Sequence, residues 1–171
     1  MEDNSNIFKW TKALYIIYLI ALFWIIVFKF DVPFSNMGYL RSINLIPFKS
    51  SLIINGKIDY SEMIMNIVIF MPLGIYSGIL FKKWNNSRKI FLFFLISFIC
   101  EAFQFILGIG ASDITDIINN TLGGVTGLLI YEGIIIIFKD SNKAHKFINF
   151  IATIGTTLMI LLLGLLVVCN L

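Results

Sequence analysis

The sequence predicts an all-α membrane protein, a polytopic bundle of about five transmembrane helices. Of its 171 residues, 58% are hydrophobic and 13% are charged, whereas a soluble domain carries roughly 25% charged residues. A soluble fold could not cover its surface with so few polar groups. Because each spanning helix needs about 20 apolar residues, five spans would use about 100 residues and leave no room for a large soluble domain.

Five apolar runs can be matched to these spans. They cover about residues 13–28, 61–81, 90–107, 114–138 and 147–169. The first run follows two lysines, as in a signal peptide, but no small-x-small cleavage site follows it, which favours an uncleaved helix. The connection from Lys29 to Tyr60 contains apolar segments that are too short to span, and we expect them to lie at the membrane interface or to dip into it.

The basic residues predict the orientation of the bundle. Four of them follow the second run, between Lys82 and Lys89, and three lysines follow the fourth run. Because short cytoplasmic loops are rich in Lys and Arg, both loops are predicted to be inside, with the N-terminus inside and the C-terminus outside. The connection from Lys29 to Tyr60 must then be outside. Its four basic residues disagree mildly with this placement, because basic residues are more common in cytoplasmic loops.

Polar side chains gather near the predicted outer ends of spans two, three and four. Such groups are costly inside a bilayer and by default suggest function. Glu101 and Gln104 share one face of the third span because they are three residues apart, and Asp113 and Asp116 begin the fourth. The predicted ligand-binding residues are Arg41, Asn44, Asn66, Glu101, Gln104, Asp113, Asp116, Asn119 and Asn120.

The fourth span carries one stripe of polar and small residues. It runs through Asp116, Asn119 or Asn120, Gly123 and Gly127 at a spacing of three or four residues. Its glycine pair is a small-xxx-small pattern, which lets a neighbouring helix approach closely. The stripe therefore faces protein rather than lipid, and it predicts a polar pocket that opens outward between spans two, three and four.

Each of these residues also has a simpler structural explanation. An Asn between two membrane helices often only holds them together, with a contribution of about 1 kcal/mol, and Asp113 or Asp116 can cap the fourth helix. Glu101 is harder to explain in this way, because a carboxylate two-thirds along a span needs a partner or a proton. We interpret His145 as a solvated loop residue.

Four segments, in order along the chain, resemble the VanZ-like family of bacterial membrane proteins. They are NLIPF at 44–48, Asn66 with FMPLG at 70–74, EAFQ at 101–104, and DITDIINNTLGG at 113–124, which continues to Gly127. The resemblance implies a VanZ-like membrane domain over about residues 12–139, with the helix at 147–169 packed on it. It also implies a multi-pass protein of the bacterial cytoplasmic membrane, linked to low-level resistance to the lipoglycopeptide teicoplanin.

Three functions are compatible with the predicted pocket. The first is a non-enzymatic envelope protein that binds a membrane lipid head group, a lipid-linked cell-wall precursor or an amphiphilic drug. The second is an enzyme acting on a lipid-linked substrate, with Glu101, Asp113 and Asp116 holding a divalent cation such as Mg²⁺. In that enzyme, Glu101 could instead act as a general acid or base and is the candidate catalytic residue. The third is a small ion or solute carrier with Glu101 as a proton-linked site.

The first function is narrowly favoured, and whether the protein is an enzyme stays open. The predicted outer side has no histidine and no recognisable nucleophile with its base. No nucleic-acid partner is expected, because the basic residues form short clusters beside apolar runs rather than a continuous face. No cofactor is required apart from the cation of the second function, and a homo-oligomer is compatible with the sequence.

Overall fold

The computed structural model describes residues 2–29, 40–48, 53–54, 57–58 and 60–169. Within this part of the chain, five α-helices are long and apolar enough to cross a membrane. They are α1 (Glu2–Phe28), α2 (Ser61–Leu80), α3 (Asn86–Leu107), α4 (Ile114–Phe138) and α5 (Ser141–Cys169). The predicted all-α membrane bundle is thus confirmed, and each helix covers one of the predicted apolar runs.

Short strands connect the helices at one end of the bundle, and the sequence did not predict them. β1 (Leu40–Asn44) pairs in parallel with β4 (Ile109–Asp113), while β2 (Ile53–Ile54) and β3 (Lys57–Ile58) form an antiparallel pair. The register of β1 and β4 places Asn44 opposite Asp113. We call this end, with the C-termini of α1 and α3 and the N-termini of α2 and α4, the strand end.

Local capping explains where α3 and α4 begin and end. The Asn85 side chain accepts a hydrogen bond from the main-chain N–H of Arg88 and caps α3, as is common at helix N-termini. Gly108 then ends α3 in the left-handed conformation, with φ 63°, which glycine adopts without steric cost. The chain reverses there and enters β4, so the predicted turn at 108–113 is in fact a turn followed by a strand.

The closest helix contact in the bundle joins α2 and α4. A Cβ atom added to Gly127 would meet the main-chain oxygen of Met71, and one added to Gly74 would meet the main-chain oxygen of Gly124. Only residues without a side chain permit the two backbones to come so near. The prediction that Gly123 and Gly127 face a neighbouring helix is confirmed, and that helix is α2.

The remaining helices surround this pair. The apolar face of α1 packs against α2 and α3 around Leu22, Phe70 and Phe93. α5 lies alongside α1, where the hydroxyl of Thr11 donates to the side-chain oxygen of Asn149 at 3.0 Å. Most of α5 is exposed, so this helix has the outermost position in the bundle.

One prediction at the start of α5 was wrong. His145 is buried, with 6% of its surface exposed, and its Nε2 lies 3.3 Å from the Tyr131 hydroxyl. The loop predicted around it does not exist, because α5 begins at Ser141 directly after a short turn. The polar residues that suggested a loop instead form the first turns of the helix.

The topology of the bundle can be tested with reporter fusions. The clustered bases between Lys82 and Lys89 lie opposite the strand end, at the α2–α3 connection. We expect a reporter that is active only outside the cytoplasm to be active after Leu171 and inactive at Asn86, because basic loops stay inside. The opposite activities at these two positions would reverse the predicted orientation.

Candidate functional site

A small cavity of about 140 Å³, lined by both polar and apolar side chains, lies at the strand end of the bundle. Four helices contribute to its wall, through the C-terminal ends of α1 and α3 and the first turns of α2 and α4. It is lined by Ile25, Ile26, Lys29, Glu62, Met65, Asn66, Ile69, Glu101, Gln104 and Asp116. The structure thus brings four of the predicted residues, from three helices, to one cavity: Asn66, Glu101, Gln104 and Asp116.

Two buried side chains of this wall, Glu101 and Gln104, each use only part of their hydrogen-bonding capacity. Both side chains are 1% exposed. Glu101 Oε2 accepts the main-chain N–H of Asp113 at 3.0 Å, and Gln104 Nε2 donates to the main-chain oxygen of Ile26 at 2.7 Å. Their other oxygens, Oε1 in each case, have no hydrogen-bond partner among the described residues. An unpaired buried acceptor costs roughly 1–3 kcal/mol.

A side chain of α2 forms a hydrogen bond with Asp116. Its Oδ1 accepts a hydrogen bond from Nδ2 of Asn66 at 2.8 Å. Asn66 belongs to α2 and Asp116 to the first turn of α4, so the bond joins the two helices that approach each other most closely. The α2–α4 contact therefore positions one side of the cavity.

Lys29 and Glu62 belong to the same cavity, and the sequence prediction missed both. Lys29 Nζ lies 2.8 Å from Glu62 Oε1, and the two side chains are 47% and 48% exposed. Burial acts to lower the pKa of Lys29. The hydrogen bond and charge of Glu62, with smaller effects from Asp116 and Glu101, outweigh it and raise that pKa above its ordinary value. The signal available in the sequence was Lys29 itself, a base in a segment where the positive-inside rule disfavours bases.

Asp113 and Asn44 anchor the loops above the cavity rather than line it. Asp113 Oδ1 accepts the N–H of Thr115 at 2.8 Å and caps α4, the role that the simpler structural explanation gave it. Its Oδ2 accepts from Nδ2 of Asn44 at 2.9 Å, and Thr115 Oγ1 accepts the N–H of Phe48 at 3.0 Å. The backbone of Arg41 pairs with β4, while its side chain lies outside the described part of the structure.

Asn119 and Asn120 are buried deeper in α4 and do not line the cavity. Asn120 Nδ2 donates to the hydroxyl of Ser97 at 2.9 Å and so joins α4 to α3. This is the interhelical role that the simpler explanation assigned to such residues. A ligand-binding role of either residue stays a prediction.

The three carboxylates proposed as metal ligands are separated by their contacts. Glu101 and Asp116 line the cavity, whereas Asp113 turns its carboxylate toward Asn44 and Thr115. In the described part of the chain, no group of three His, Cys, Asp or Glu side chains is arranged to hold a metal ion. The divalent cation therefore stays a prediction without geometric support.

Comparison with known proteins identifies the family of this chain. Residues 15–139 match the family model described as VanZ/LLP1. The chain belongs to the VanZ/LLP1 family. It is also 35% identical over 155 residues to protein VanZ of Enterococcus faecium, and the match covers 90% of each protein. No solved structure matches the chain. Every residue that lines the cavity lies inside the VanZ/LLP1 region, so the cavity is built from the family's own part of the chain.

Proposed function

We propose that this VanZ/LLP1 protein binds an amphiphile and holds its head group in the cavity at the strand end. The amphiphile is either a membrane lipid or a lipid-linked cell-wall precursor. The observation that carries the proposal is that Glu101 and Gln104, two residues that line the cavity, each have one buried oxygen atom without a hydrogen-bond partner among the described residues. Protein interiors normally satisfy such groups. A ligand that supplies hydrogen-bond donors would remove the cost of leaving them unpaired.

A second, apolar cavity beside the one at the strand end supports an amphiphilic ligand. It has a volume of about 430 Å³ and is lined by side chains of α1, α2, α4 and α5. Ile25 and Ile69 line both cavities. A head group among Glu101, Gln104 and Asp116 would thus leave its hydrocarbon chain beside an apolar cavity, a combination of apolar walls and a few polar groups that suits such ligands.

The family resemblance connects the proposed binding of an amphiphile with resistance to glycopeptides. With the predicted orientation, the cavity opens toward the outer surface, where a lipoglycopeptide such as teicoplanin meets membrane lipids and cell-wall precursors. A protein that holds one of these molecules changes how much of it is accessible there. Low-level resistance would follow from binding alone, without a chemical reaction.

Glu101→Gln tests this function. The substitution keeps nearly the same volume but removes the negative charge of a buried side chain whose Oε1 has no partner among the described residues. We expect the purified variant to retain far less lipid than the unchanged protein, about tenfold less if one charge-assisted hydrogen bond is lost. Mass spectrometry of the co-purified lipids measures this, and teicoplanin susceptibility of the expressing cells gives a second readout.

Glu132→Gln is the matched control, because Glu132 is an exposed glutamate on α4 and does not line the cavity. We expect it to retain lipid normally. Both variants should reach the membrane in equal amounts. Equal lipid retention by the Glu101 and Glu132 variants would contradict the proposed function.

A further inference from the structure

We propose that the cavity selects amphiphiles whose head group carries a primary ammonium group. This inference rests on the proposed function and narrows its ligand to one chemical class. It depends on three properties of the cavity wall: the type of its unpaired atoms, the balance of its charges and its small volume.

The unpaired atoms are both hydrogen-bond acceptors. The Gln104 amide is oriented by the Ile26 main-chain oxygen, which can only accept, so Nε2 faces that oxygen and Oε1 is left over. The free atom of Glu101 is a carboxyl oxygen. A primary ammonium group has three N–H donors and no acceptor, whereas an ionised phosphate has only acceptors. The first group matches this wall and the second does not.

The charges in the wall favour a cation. The described lining contains three carboxylates, from Glu62, Glu101 and Asp116, and a single base, Lys29. Lys29 forms an ion pair with Glu62 at 2.8 Å, so Glu101 and Asp116 have no cationic side chain of their own in that lining. Like charges at short range disfavour each other, and an ammonium group between them would relieve this repulsion.

The volume and the position of the lysine agree with a small head group. A cavity of about 140 Å³ has room for an ammonium group and a short linker, and not for a sugar chain. Lys29 and Glu62 are half-exposed and mark its opening, while Glu101 and Gln104 are buried. A zwitterionic head group would therefore enter with its ammonium group toward Glu101 and keep its phosphate near Lys29.

Lipids that differ only in the head group test the selectivity. We would measure dissociation constants of the full chain in detergent for phosphatidylethanolamine, phosphatidylcholine and phosphatidylglycerol with identical short acyl chains, by native mass spectrometry. Phosphatidylcholine keeps the positive charge without N–H donors, and phosphatidylglycerol lacks the charge. We expect phosphatidylethanolamine to bind about tenfold more tightly than either, which is the effect of one charge-assisted hydrogen bond.

Two variants and one competitor complete the experiment. Glu101→Gln and Asp116→Asn should each reduce the preference for phosphatidylethanolamine, and Glu132→Gln should keep it. If one of the two cavity variants fails to fold, the other still tests the preference. Free ethanolamine that displaces the lipid would assign the site to soluble amines as well, whereas failure to displace it would assign the site to lipid-linked amines.

The outcomes separate this inference from the function on which it rests. Equal affinity for the three lipids, lowered for all of them by Glu101→Gln, would overturn ammonium selectivity and keep amphiphile binding. Equal affinity that no cavity variant changes would overturn both. A preference for phosphatidylglycerol would show that Lys29 rather than the carboxylates selects the head group.

Discussion

Replacing Gly127 with alanine is expected to destabilise the protein by about 1–3 kcal/mol, the usual cost of overfilling a packed contact. The added Cβ atom would overlap the main-chain oxygen of Met71, and its neighbouring main-chain atoms are also too close. A backbone cannot move aside as a side chain can, so α2 and α4 would have to separate. Thermal unfolding in detergent, followed by tryptophan fluorescence, measures the loss.

Gly133→Ala provides the matched control on the same helix. A Cβ atom at Gly133 has nothing within 4 Å, and alanine is the better helix former by about 1 kcal/mol. This variant should unfold at the same temperature as the unchanged protein or slightly above it. If both glycine variants were equally stable, α2 and α4 would not be in the close contact described.

The same substitution should also damage the cavity. Asn66 on α2 donates to Asp116 on α4 at 2.8 Å, and this bond cannot survive a separation of the two helices. We therefore expect Gly127→Ala to reduce lipid retention as well as stability. Gly133→Ala should leave lipid retention unchanged.

Replacing Asp113 with alanine is expected to cost about 2–4 kcal/mol, because it removes both a helix cap and a charge-assisted hydrogen bond from the Asn44 amide. Its two carboxyl oxygens accept from the N–H of Thr115 and from the side chain of Asn44. The loss should free β1 from β4 and disturb the N-terminus of α4. Thermal unfolding and limited proteolysis of the connection between α1 and α2 measure both effects.

Asp140→Ala is the matched control for Asp113→Ala, because Asp140 also caps a helix but does not hold Asn44. Asp140 accepts the N–H of Asn142 at 2.8 Å at the start of α5, and its side chain is exposed. Removing it should cost only about 1 kcal/mol, the typical value of a cap. Equal losses for the two aspartate variants would mean that the Asn44 contact contributes nothing to stability.

Much of the candidate site could be predicted because several of its residues are polar residues in segments that are otherwise apolar. Glu101, Gln104 and Asp116 are polar residues within apolar runs, and the cost of such residues in a bilayer makes them visible in the sequence. Glu62 lies in the first turn of a helix, where charged residues are ordinary, and Lys29 was marked only by the positive-inside rule. Asn119 and Asn120 were visible for the same reason as Glu101, yet they face α3 and the bundle interior rather than the cavity.

The sequence by itself determined the five helices, their approximate limits and the face of α4 that meets another helix. Each of these depends on hydrophobicity or spacing within one segment. Only the tertiary structure decided that β1 pairs with β4, that Lys29 forms an ion pair with Glu62, and which oxygen atoms of Glu101 and Gln104 are left without a partner among the described residues. These contacts join residues that are distant in sequence, and their geometry depends on helix packing and strand register, which no local pattern encodes.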